Sequence, residues 1–496
     1  MRTELGALTL AGLALVGCRE AGYDGPYKTI VLVSLDTLRA DHLGCYGGAV
    51  ETPSLDALAA EGVRFADVTT AAPTTLASHV SIMTGTYVHT HGTPRNGFEV
   101  LPENRMLAEV LQEQGFETAA FLGSWALDES FGFGQGFDHF DQEFDIKATV
   151  AKVDGQVDLA VEQDQRRAER VNEALFHYLD TTEAERRFLF LHYFDAHAPY
   201  DAPPPFGREK DGEPQGSTLV DLKKAVLEHQ GQLIENPPGF DGVIVGGIPT
   251  EILDRADGSE LPIDRVLKDD YAREVRYLDH HLGRLFDGLR ERGQLEQALV
   301  IVTADHGESF HEHGDFWNHG SWVYDTTVRV PLIVWHSPTL RADEEPGRAV
   351  HEPVSTIDIM PTILGALGIP SHDRSEGLDL GPALAGEPFE RGPVYSEATQ
   401  PKNKELELGG WANARKARCI RSGTQKLIVS PLHQRLELFD LAQDPGERRN
   451  LSSNDTTGLQ VFEQLQAWSL EARPSAATFN PDQDTELIRR INAYGY

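Results

Sequence analysis

Three features of this 496-residue chain predict an α/β fold: a doubly wound, largely parallel sheet with a small C-terminal antiparallel sheet-and-helix subdomain. Nearly continuous apolar, β-branched runs alternate with segments whose apolar residues recur at helical spacing, the pattern of strand–helix–strand units. The apolar runs have few polar interruptions, as strands covered on both faces require. Beyond about residue 392 the segments shorten and lose the helices between them, which marks an antiparallel appendage.

Taken in order, the chain opens with the apolar stretch LGALTLAGLALVG before Cys18. At about 13 residues it is too short to span a bilayer and has the form of a signal-peptide h-region. It ends Leu15-Val16-Gly17-Cys18, which resembles the lipobox of bacterial lipoproteins. That resemblance implies a signal peptide over 1–18 and a lipid anchor on Cys18. The mature protein is then expected in the bacterial cell envelope, periplasm-facing or extracellular and attached to the membrane by that anchor. Residues 19–27 are expected to form a linker, 28–391 the main domain and 392–496 the C-terminal subdomain.

Within the main domain, Lys28 to Asp36 (KTIVLVSLD) predicts a buried strand. Thr52-Pro53-Ser54 opens a helix that Gly62 ends, with proline in the first turn. NRMLAEVLQEQG is an amphipathic helix and ETAAFLGS the strand after it. Residues 186–194 (RRFLFLHYF) give another buried strand. The long helical pattern from RVLKDD stops at Gly293, and ALVIVTAD is the next strand. Between 207 and 265 the chain turns polar and rich in turn residues, an insertion suited to a lid. In the C-terminal part ARCIRSG, QKLIVSP and RLELFDL predict a small antiparallel sheet, followed by a helix around 457–471.

The net charge of −34 argues against nucleic acid as a partner, because that field repels a phosphate backbone. An anionic substrate needs something locally positive, and a metal ion would supply it. With Cys18 expected to carry the lipid, Cys45 and Cys419 are the cysteines left, neither a disulfide framework nor a zinc set. Both are expected to be packing residues.

Ligands of open α/β sheets collect beyond the carboxyl ends of the strands. Asp36 closes KTIVLVSLD, and Asp305 closes ALVIVTAD with His306 beside it. Two carboxylates and an imidazole converging from separate strands suit one divalent cation, with Mn²⁺ placed ahead of Ca²⁺, Mg²⁺ and Zn²⁺.

The run AAPTTLASHVSIMTG (71–85) resembles the nucleophile signature of the sulfatase family, within the alkaline phosphatase superfamily. VSLDTLRADHLGCYG, TPSLDALAAEGVRF, HYFDAHAPY, VTADHGESFHEHG, NHGSWVYDTTVRVPLIV and ELFDLAQDPGERRNL resemble further family segments, in the family's order. The resemblance implies that the sheet is of sulfatase/alkaline phosphatase type. Counting back from Thr84-Gly85 puts the nucleophile at Thr75 and the signature arginine's position at His79. It further implies metal ligation by Asp36, Thr75, Asp305 and His306, and substrate-side histidines at His197 and His319.

Several positions depart from the family pattern. Threonine cannot be oxidised to formylglycine, because its β-carbon already bears a methyl. His79 replaces the arginine, Thr37 the second aspartate, and Ser124 and Ala126 the family's lysine and histidine. These changes resemble the threonine-nucleophile branch, which includes phosphoglycerol transferases and sulfatase-like lipoproteins. The expected function is therefore metal-dependent cleavage or transfer of a small anionic ester, sulfuric or phosphoric, on a glycan or a lipid head group. Thr75 would attack, and His79, His197 and His319 would donate to the ester oxygens or the leaving alcohol. A true arylsulfatase-type enzyme and a non-catalytic binding lipoprotein are the alternatives. Asn96 is either a substrate contact or a turn residue.

Overall fold

Strand β1 (Thr29–Leu35) is buried at all of its residues, as its β-branched run requires. It lies at the centre of an eight-stranded sheet in a computed structural model that describes residues 22–470, apart from 145, 152–159, 199, 208–261, 311, 315–316, 341–344, 400–415 and 452–455. The other strands are β2 (Val63–Phe65), β3 (Glu117–Phe121), β4 (His139–Asp141), β5 (Arg187–Tyr193), β6 (Ala298–Thr303), β7 (Leu332–His336) and β8 (Arg348–Val350). Their order is β8-β2-β7-β6-β1-β5-β3-β4. Strand β1 pairs in parallel with β5 and β6, and β3 continues the parallel arrangement. Strand β7 runs antiparallel to both of its neighbours, β6 and β2. The fold class read from the sequence, including the separate small antiparallel sheet, is the one observed.

Helices cover the sheet. They include α1 (Pro53–Glu61), α2 (Thr75–Thr84), α3 (Leu107–Glu113), α4 (Ala168–Thr181) and the long α5 (Pro262–Glu291). Helix α1 has proline in its first turn, and Gly62 follows its last residue. Gly293 takes a left-handed φ of 67° just past α5, which stops the helix where the sequence predicts. The central core is apolar on both faces of the sheet, which accounts for the lack of alternation in the strands.

The C-terminal sheet orders β9 (Val394–Glu397), β10 (Arg418–Ser422), β11 (Gln425–Ser430) and β12 (Arg435–Asp440) as an antiparallel meander. Helix α6 (Thr456–Leu470) buries Val461, Leu465 and Trp468 against Ile420, Leu427 and Leu438 of that sheet. Lys426 on β11 is buried and bonds Asp325 at 2.6 Å and Glu447 at 2.7 Å, while Arg421 pairs with Asp67. These ions tie the small sheet to the segment that follows His319.

Cys45 and Cys419 are free thiols, partly buried and buried respectively. Residues 1–18, expected to be a signal segment ending at Cys18, lie outside the described residues, as does most of the expected insertion at 207–265. Among the described residues, no helix is long and apolar enough to cross a membrane.

Removing one partner of a buried ion cluster leaves the others uncompensated. Lys426→Ala should therefore lower unfolding free energy by about 3–5 kcal/mol, read by urea titration.

Candidate active site

The sheet brings its chemistry to one edge, the carboxyl ends of β1, β5 and β6. Asp36 follows β1 directly, and its N–H donates to the Tyr193 carbonyl at 2.8 Å. Asp305 and His306 lie just past the end of β6. Thr75 is the first residue of α2, a helix buried along its whole length and ended by Gly85 at φ 63°. The Leu76 N–H, next to Thr75, donates to Asn96 Oδ1 at 2.7 Å, so Asn96 fixes the start of this helix. Asn96 Nδ2 is buried and has no hydrogen-bond partner among the described residues.

Each carboxylate has one oxygen engaged and one left over. Asp305 Oδ1 accepts from the N–H groups of Thr37 (3.2 Å) and His306 (2.8 Å). Thr37 reaches it from a left-handed conformation (φ 56°), rare for a β-branched residue and typical of functional sites. Asp36 Oδ2 accepts from Thr75 Oγ1 at 3.4 Å and His192 Nε2 at 3.1 Å. His306 Nδ1 donates to the Gly307 carbonyl at 2.9 Å, which leaves its Nε2 lone pair facing the carboxylates. Asp36 Oδ1, Asp305 Oδ2 and His306 Nε2 are thus buried without hydrogen-bond partners among the described residues. His306 Nε2 is 3.8 Å from Asp36 Oδ1 and 3.4 Å from Asp305 Oδ2.

Burial pushes the Asp36 carboxyl up to about 7, against the pull of His306 and the Thr75 hydroxyl. Asp305 is raised too, by burial and then by the charge of Asp36. Three orphaned lone pairs from a carboxylate–carboxylate–imidazole set, within 4.8 Å of one another, fit a divalent cation.

His197 and His319 stand beside this group. The His319 ring lies 4.5 Å from that of His306 and 5.3 Å from that of His197. Glu308, buried, places a carboxylate oxygen 3.3 Å from His319 Nδ1.

His79 departs from its expected role. Its Nδ1 donates to the Thr75 carbonyl at 2.7 Å, and its Nε2 bonds the Ser34 hydroxyl at 2.8 Å. Burial lowers its pKa to about 3. With both nitrogens committed it belongs to the wall behind the site, and donation to an ester oxygen is not open to it in this arrangement. Ser124 and Ala126 are buried, and the Ser124 hydroxyl accepts from the Ala126 N–H.

The sequence reading missed His192 and Glu308. A histidine inside the doubly buried run RFLFLHYF was the available signal, because a polar side chain there needs a partner.

The sequence profile described as Sulfatase matches residues 28–369. The chain belongs to the sulfatase family. A second profile, described as N-sulphoglucosamine sulphohydrolase, C-terminal, matches residues 311–473 of this sulfatase-family chain. An arylsulfatase of Clostridium perfringens is 26% identical over 467 residues, covering 86% of this chain and 90% of its own. An N-acetylglucosamine-6-O-sulfatase of Bacteroides thetaiotaomicron is 22% identical over 503 residues, covering 90% and 86%. Among solved structures, the phosphonate monoester hydrolase of Agrobacterium radiobacter superposes with a TM-score of 0.67 at 22% identity, covering 90% of this chain and 96% of that one. The chain is accordingly a hydrolase acting on ester bonds, in the alkaline phosphatase superfamily.

Arg39 joins the loops that carry the two aspartates. Its guanidinium donates to the Glu308 carbonyl and to Glu312 Oε1, each at 3.0 Å, and pairs with Asp41 at 2.8 Å. Burial works to raise the Glu312 carboxyl, but the Arg39 charge and the Phe310 N–H outweigh it and hold it at about 2. A depressed carboxyl stabilises the fold above its unfolded pKa, near 4.5, and loses that contribution as pH falls toward 2. Glu312→Gln should cost about 1–3 kcal/mol at pH 7. In denaturant titrations at stepped pH, the gap to wild type should close between pH 4.5 and 2.

Proposed function

We propose that this enzyme cleaves a small anionic ester, sulfuric or phosphoric, by attack of Thr75 beside one divalent cation held by Asp36, Asp305 and His306. The observation that carries the reading is the convergence of three buried, unpartnered lone pairs next to the Thr75 hydroxyl. A cation there supplies positive charge for the ester and makes a nearby hydroxyl more acidic. Sulfated glycans are the substrate class that the similar N-acetylglucosamine-6-O-sulfatase suggests.

The chain's own groups then divide the work. Asp36 Oδ2 faces the Thr75 hydroxyl and takes its proton. The Thr75 oxygen forms a bond to sulfur or phosphorus as the bond to the alcohol oxygen breaks. Helix α2 presents its N-terminus there, and its partial positive charge favours an anion. Asn96 Nδ2 supplies a donor to a peripheral ester oxygen. His197 and His319 stand beside the same group, and His319, set against Glu308, gives a proton to the departing alcohol. Water, or an acceptor alcohol, then attacks the threonyl ester and gives its proton to His319, and Thr75 leaves with the proton that Asp36 took. We also propose that Cys18 carries a lipid that holds the enzyme in the cell envelope, a reading supported by the lipobox-like Leu15–Cys18 segment.

Thr75→Ala should cut turnover of aryl sulfate or phosphodiester substrates by about 10³-fold or more, with folding and metal content kept. Thr75→Ser should retain part of the activity, because the attacking oxygen is preserved, and Thr74→Ala should change little. Full turnover in Thr75→Ala, or formylglycine in the wild-type peptide, would refute the threonine mechanism.

A further inference from the structure

The cation site's two carboxylates are anchored by different means. Asp305 Oδ1 is held by two backbone N–H groups, which the fold itself fixes. Asp36 Oδ2 is held by side chains, the Thr75 hydroxyl at 3.4 Å and His192 Nε2 at 3.1 Å. Against an ionised carboxylate His192 must donate, so its proton sits on Nε2. Thr75 is also the proposed nucleophile, and in the reaction it gives that hydroxyl proton up to Asp36. Of these two donors, His192 is the one that the reaction does not consume, so its hold on Asp36 Oδ2 is a property of the resting, cation-binding site.

The surroundings leave His192 little freedom. It is fully buried on β5, in register with Ser34 of β1. Its ring packs edge-on against His79 at 5.0 Å, and His79 is itself pinned between Ser34 and the Thr75 carbonyl. Phe133 and Phe190 close in on the His79 ring. The imidazole donor is therefore delivered to Asp36 from a packed layer beneath the site, out of reach of substrate.

We infer that His192 is a positioning residue: it engages Asp36 Oδ2, turns Oδ1 toward the cation, and so sets the affinity for the ion. This rests on the cation reading above. Partners in the second layer of a metal site are typically worth about 10–100-fold in affinity. Glutamine can place an amide N–H near the position of Nε2. Asparagine is one bond too short, and leucine has no donor.

The test is a competition titration of Mn²⁺ against a fluorescent chelator, with thermal melting of the metal-free protein run alongside. The full chain is used as wild type, His192→Gln, His192→Leu and His192→Asn. Expected is about 10–100-fold weaker Mn²⁺ binding in the leucine and asparagine variants. The glutamine variant should return to within about threefold of wild type, below the second-layer effect. Metal-free melting of the variants that fold should stay close to wild type. If leucine proves too disruptive to fold, asparagine against glutamine decides the question. Wild-type affinity in leucine or asparagine, or no recovery in glutamine, would overturn the positioning role while leaving the cation reading intact. A wild-type protein that takes up no Mn²⁺, Ca²⁺, Mg²⁺ or Zn²⁺ would overturn both.

Discussion

The structure turns on the cost of holding two carboxylates together out of water. Asp36 and Asp305 are fully buried, and their charges repel in a medium that screens poorly. The fold supplies backbone N–H groups, His192 and the Thr75 hydroxyl to one oxygen of each and leaves the others bare. That arrangement is unfavourable for a protein that binds nothing there and sensible for one that binds a cation. The left-handed Thr37, the Arg39 clamp and the fully buried α2 frame those bare oxygens, which lie within 4.8 Å of each other.

The large sheet makes this possible because its central strands are covered on both faces. Strands β1, β5 and β6 are aligned residue against residue, so Ser34, His192 and Thr303 lie level and Asp36 emerges just beyond them. The apolar runs that define the strands are therefore also what fixes the site. The small C-terminal sheet is held through Lys426, Asp325 and Glu447, close along the chain to His319.

Much of this was legible in the sequence, for physical reasons. Doubly buried strands are long apolar runs, and acidic residues at their ends stand out, so Asp36, Asp305 and His306 could be grouped beforehand. The antiparallel insertion of β7 into a parallel sheet was not legible, because its apolar run looks like the others. Nor was the direction in which His79 points. Its place in the motif suggested a substrate contact, whereas Ser34 and the Thr75 carbonyl take both of its nitrogens. His192 was hidden for the opposite reason, being one polar residue in a run whose apolar majority set the reading. Asn96 lay in a turn-forming context, and only the fold shows it bonded to the first turn of α2.

The central claim is that Asp36, Asp305 and His306 hold one divalent cation beside Thr75. Anomalous diffraction from crystals grown with Mn²⁺, with data collected on both sides of the manganese absorption edge, tests it most directly. A single strong peak is expected, coordinated by Asp36 Oδ1, Asp305 Oδ2 and His306 Nε2, with Thr75 Oγ1 next to it. A peak elsewhere in the molecule, or ordered water without anomalous signal among these four atoms, would contradict it.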